Sequence, residues 1–178
     1  MEHPHTNAGP FTPLHPAVVH FPIALSVLSV GADAAGWATR HRAISASFFA
    51  AGWWALAAAV ASAAVAIVLG ISDMRRATIQ EDAHRQVHHH MRIGFGVFVA
   101  LAVMFAWRLV RVVDGEFSVG VAYLAAGVVT LLLIGYQGWL GGELVFRLGV
   151  GVATAPDPDM KGGKAETANM SSMQAWQA

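Results

Sequence analysis

Cysteine is absent from the chain, which excludes disulfides, thiolate zinc sites, iron–sulfur ligation and cysteine nucleophiles together. Charge is scarce as well. Only 12% of residues are Asp, Glu, Lys or Arg, against about 25% in an average soluble domain. Eleven basic and eleven acidic residues cancel, so nothing draws the chain electrostatically to nucleic acid or to an anionic membrane surface. What fills the space is apolar: 56% of the 178 residues are hydrophobic, in one domain's worth of sequence.

The apolar residues fall in long runs. Between Ala17 and Thr39 the only formal charge is Asp33; Ala43–Ser72 has none; Ile93–Val113 has only Arg108 and Arg111; Phe117–Gly142 has none. A bilayer span needs about 20 apolar residues in helical form, since every backbone group in lipid requires an internal partner. The expected fold is therefore all-α, an integral membrane four-helix bundle with spans at about 17–39, 43–72, 93–113 and 117–142 in a domain over 14–152. Residues 1–13 form an N-terminal arm without the basic n-region of a cleaved signal peptide, so the first span is read as retained. Residues 153–178, with Pro156, Pro158 and many small polar side chains, read as a disordered tail.

An even number of crossings puts both termini on one side, together with the connection Asp73–Arg92. His3, His5, His15, His20, His84, His88, His89 and His90 then share one face, and only His41 lies opposite. The Lys and Arg count leans towards placing the histidine face inside the cell, but both short loops are themselves rich in Arg, so the positive-inside rule barely discriminates.

Three segments carry the candidate chemistry. His15-Pro-Ala-Val-Val-His20-Phe-Pro22 opens the first span, and Pro22 frees the carbonyl of Val18 and marks a kinked entry. His20 lies about one turn deep, where an ionisable group needs a partner, a metal, or a helix end to bond. His84 and His88 are spaced i,i+4 on one helical face, which suits a shared metal or a solvated surface. His90 is nearest the third span. His15 or His20 with His90 forms a candidate bis-imidazole pair for haem b; His20, His90, His84 and His88 are alternatively ligands for a copper, zinc or iron ion. The fourth span ends in glycines, with Gly138–Gly142 as a GxxxG pair and Gly141 between them, a face for close helix packing or for a planar macrocycle. Arg147, four residues beyond Glu143, is positioned to pair with it or with a propionate. Asp33, the one acid well inside a span, calls for neutralisation by Arg40 or Arg108.

Assembled, these segments resemble a family of small bacterial four-span membrane proteins of unknown function, recognised by HPxxVHFPIAL and by WLGGELVY followed by Gly-Val-Gly-Val. The two elements stand here as His15–Leu25 and Trp139–Phe146 with Gly149–Val152. Phe146 replaces the usual Tyr, and Leu148 stands where the family pattern has His. If that His were an obligatory ligand, ligation here would rest on His15, His20 and His90. The resemblance implies a redox setting on the outer face of the bacterial cytoplasmic membrane, with both termini periplasmic. Cytochrome c, Rieske or quinoprotein dehydrogenase modules are the implied partners. The expected function is a b-type haem subunit with His20 and His90 as axial ligands, relaying electrons to the quinone pool; a non-haem metal-binding or transport protein and a plain membrane anchor are the alternatives. An electron-transfer or accessory subunit is expected rather than a stand-alone enzyme, and homo-oligomerisation stays open.

Overall fold

A computed structural model describes residues 14–76 and 81–150; the N-terminal arm with His3 and His5, and the tail, lie outside the described residues. The described chain is helical: α1 (His15–Val18), α2 (His20–Ala38), α3 (Ser45–Arg76), α4 (Glu81–Val113) and α5 (Val121–Gly142), closed by a π-helical turn, Glu143–Arg147. Four helical stretches are long and apolar enough to cross a membrane, α1 and α2 together making the first. Large apolar side chains such as Phe21, Leu28, Trp54, Val68 and Leu132 point outward. That is the inverse of a water-soluble bundle and the expected state where the solvent is lipid.

The interface of each helix is written in its spacing. In the first span the buried positions are Pro22, Ser26, Ser29, Ala32, Asp33 and Gly36, a stripe with the i, i+3, i+4 period of one helical face. The facing stripe on α3 is made of small residues, Gly52, Ala55, Ala59, Ala63 and Ala66, with Phe49 and Leu56. Small side chains let the two backbones approach, which is how helices gain contact in lipid, where no hydrophobic effect drives them together. A Cβ on Gly36 would stand 2.7 Å from Cε1 of Phe49, so glycine there sets the crossing distance. Ser29 donates from Oγ to the carbonyl of Gly52 across the same interface at 2.9 Å. Leu101 and Met104 of α4, with Val119 and Tyr123, complete the core around Phe49, Leu56 and Ala63.

The first span is interrupted at Val19, between α1 and α2, three residues before Pro22. Pro22 has no N–H to give Val18, so the ladder breaks one turn above the proline, and Ser26 Oγ donates to the Pro22 carbonyl at 2.6 Å. The spans differ from the hydropathy reading chiefly in α4, which begins at Glu81 rather than 93 and takes His84, His88, His89 and His90 into the helix. Those residues are polar but carry no helix breaker, and helix formation does not stop where lipid does.

Candidate functional site

Polar groups inside the bundle collect at two places. Asp33 is 18 residues along the first span from His15, about 27 Å of helical rise, so the two places lie towards opposite ends.

At the histidine end, His15 is fixed twice to α3. Its backbone N–H donates to Asp73 Oδ2 at 2.8 Å, and its Nδ1 lies 2.7 Å from the Ala66 carbonyl. A carbonyl only accepts, so Nδ1 carries a proton, and in the neutral tautomer this selects Nε2 would keep a lone pair. Gly70 makes room: a Cβ there would lie 3.0 Å from His15 Nδ1. The His90 ring stands 6.2 Å from that of His15, centroid to centroid, at an interplanar angle of 87°. His90 Nε2 is 3.1 Å from the Gln137 amide nitrogen, and Gly141 lets α5 approach, since a Cβ there would stand 3.3 Å from His90 Cε1. His90 Nδ1 and Gln137 Oε1 are buried without a hydrogen-bond partner among the described residues. Rotating the Gln137 amide by half a turn would let Oε1 accept from Nε2–H and leave a lone pair on Nδ1. Each imidazole would then be held through one nitrogen, with the other free.

Of the residues singled out from sequence, the structure brings together His15, His90 and Gly141. It does not bring His20 to His90. His20 is exposed on the outside of the first span, because two residues separate it from buried Pro22 and two residues turn a helix by about 200°. His15, seven residues before Pro22, is back on the inner stripe. The ring beside His90 is thus that of His15 and not that of His20. His84 and His88 stack along the outside of α4, ring centroids 6.1 Å apart, both exposed. Gly138 is exposed, with open space where a Cβ would go, and Gly142 would meet only Phe146. Arg147 pairs with Glu143 at 3.1 Å in the π-helical turn. Among the described residues no group of three or more His, Asp or Glu side chains is arranged to hold a metal ion. Gln137 was not read from sequence as a site residue; its signal is a lone amide in an otherwise apolar span.

At the other end Asp33 and Arg108 form an ion pair, each side chain about 1% exposed. Arg108 also donates to the Phe49 carbonyl, and its guanidinium carbon lies 5.8 Å from the Tyr123 ring centroid. One side chain of α4 thus touches α2, α3 and α5. Arg108, and not Arg40, is the counter-ion of Asp33; Arg40 instead lies over the Trp37 ring, 4.5 Å from its centroid.

No curated protein and no solved structure matches the chain. A family model does, over residues 11–154, a stretch that holds both motif segments, both polar clusters and all four spans. The chain belongs to the family described as predicted membrane protein (DUF2231).

Proposed function

We propose that this protein is a transmembrane redox subunit whose metal group is a haem b held by His15 and His90. One observation carries the reading: two imidazoles from different helices stand 6.2 Å apart at 87°, each tied through one nitrogen. Two imidazoles on opposite sides of one metal, each nitrogen about 2.0 Å from it, place their centroids roughly 6 Å apart. Metal-bound histidine characteristically has its second nitrogen bonded to a carbonyl or carboxylate, which fixes the tautomer, and Ala66 does this for His15.

The donor set fits haem better than a bare ion. A structural zinc site asks for four protein ligands and a catalytic one for three, whereas a porphyrin brings four nitrogens and needs only two from the protein. Bound there, haem supplies a one-electron couple. The chain's own residues orient the rings (Ala66, Gln137), admit them between helices (Gly70, Gly141), and offer the exposed Arg147 to a propionate. The rest of the reading is that the histidine face is periplasmic in the bacterial inner membrane. Electrons would pass between an outer redox protein, such as a cytochrome c, Rieske or quinoprotein dehydrogenase module, and the quinone pool. Its support is the motif resemblance.

A second reading, a copper- or zinc-binding protein, is favoured by the exposed i,i+4 pair His84–His88. Absorption spectroscopy of the purified protein separates the two. The first reading expects a Soret band that shifts on dithionite reduction, is lost in both His15→Ala and His90→Ala, and persists in His20→Ala. A colourless protein whose bound copper or zinc disappears in His84→Ala supports the second and sinks the first.

A further inference from the structure

At the histidine end, α4 and α5 meet through a reciprocal fit. On α4, His90 is followed four residues later by Gly94; on α5, Gln137 is followed four residues later by Gly141. Each polar side chain occupies the space that the other helix's glycine leaves open. A Cβ on Gly141 would stand 3.3 Å from His90 Cε1, and a Cβ on Gly94 would stand 2.8 Å from the Gln137 amide nitrogen. The order is opposite on the two helices, as antiparallel neighbours require, so close backbone approach on both sides fixes the 3.1 Å contact between His90 Nε2 and the Gln137 amide. Helix association in lipid uses small residues and polar contacts of this kind, but association alone leaves open which amide atom faces the ring.

The surroundings decide it. The amide atom beside His90 Nε2 also lies against the Cα–H of Gly94 that stands in place of a side chain. An oxygen there accepts from both, from Nε2–H strongly and from Cα–H weakly, whereas an NH2 group would turn its protons towards a C–H. The NH2 assignment also forces the ring proton onto Nδ1, which is buried without a partner among the described residues. A buried N–H with no acceptor is costly; a lone pair in the same place is what a metal takes from neutral imidazole. We infer that Gln137 is the positioning residue of His90: its Oε1 takes the Nε2 proton, which leaves Nδ1 as the nitrogen offered to the metal group. His15, whose Nδ1 faces the Ala66 carbonyl, offers Nε2, so the two imidazoles are inequivalent ligands. The metal in this statement rests on the proposed function; the tautomer of His90 does not.

The tautomer is read by nitrogen NMR of isotope-labelled histidine in the full chain, in detergent micelles under dithionite, with His90→Ala to assign the signals. The expected result is a protonated-type signal at His90 Nε2 and an unprotonated one at Nδ1. Gln137→Glu keeps the acceptor and retains that pattern. Gln137→Leu removes the acceptor, and Gly94→Ala pushes the amide away without altering either partner. Each lowers the ratio of Nε2–H to Nδ1–H forms about fivefold, the factor carried by one hydrogen bond of about 1 kcal/mol, while the His15 signals stay in place. A proton on His90 Nδ1 in the wild type, or an unchanged ratio in both Gln137→Leu and Gly94→Ala, overturns the proposal. The Soret band of the same samples is scored separately. Its absence with the expected tautomer removes the haem and leaves the Gln137 assignment standing; its presence with the other tautomer does the reverse.

Discussion

Arg108→Leu is expected to destabilise the folded bundle by about 3–5 kcal/mol, because it leaves the Asp33 carboxylate buried and unpaired. Asp33 is fully enclosed in a region where neither water nor a second cation reaches it. The loss exceeds a local one because Arg108 also holds the Phe49 carbonyl and stands over Tyr123, so one truncation loosens α4 from three other helices. Removing both charges tells a different story. An ion pair gains in Coulomb attraction roughly what it loses in desolvation, so a buried pair replaced by apolar side chains is often neutral. The double variant Asp33→Leu/Arg108→Leu is therefore expected to recover most of the stability lost in Arg108→Leu. Equilibrium unfolding of the four proteins in mixed detergent micelles closes the cycle. Equal losses in the single and double variants would show that the guanidinium acts through packing and not through its charge.

Gly52→Ala is the second large effect, a destabilisation of about 1–3 kcal/mol by overpacking where a soluble helix would gain about 1 kcal/mol from the same change. The added methyl would stand 2.2 Å from Asp33 Oδ1 and 2.7 Å from its carboxyl carbon, so it meets the one side chain that cannot retreat without giving up Arg108. Either α2 and α3 separate along their closest line of approach or the ion pair is displaced. Gly135→Ala in α5 supplies the contrast: nothing lies within 4 Å of its Cβ position, and it is expected to be neutral or slightly stabilising. Thermal unfolding of both variants in one detergent is the check, and a neutral Gly52→Ala would mean that the α2–α3 contact is looser than its small residues indicate.

The bundle was readable from sequence because lipid imposes a length and a composition on any segment that crosses it. The four uncharged or nearly uncharged runs correspond to the four long helices. The start of α4 was not readable by hydropathy, since Asp82 to Arg92 reads as a loop by charge and is a helix by propensity. At the histidine end, sequence brought forward His15, His20 and His90 and gave most weight to His20, which the structure leaves exposed on the outside of the first span. His20 drew notice for its depth beside Pro22, but depth says nothing about rotation. The stripe Pro22, Ser26, Ser29, Asp33, Gly36 defines the inner face, and extending it backwards by seven residues reaches His15 and passes His20 by. Gln137 and the Ala66 carbonyl were out of reach for another reason: an amide or a backbone oxygen becomes a partner only through which helix lies opposite, and pattern along one helix does not carry that.

His15 is the first residue of its span, and this position sets what the membrane voltage can do to a charge residing there. A full crossing is worth about 2.3 kcal/mol per elementary charge for each 100 mV, but on the proposed reading an electron arriving at the imidazole pair from an aqueous donor on that face would traverse almost none of the field. The midpoint potential of a group held by His15 and His90 should therefore stay constant when a potassium diffusion potential is imposed on proteoliposomes. An electron continuing to the Arg108 end would cross most of the low-dielectric layer and would feel the voltage strongly.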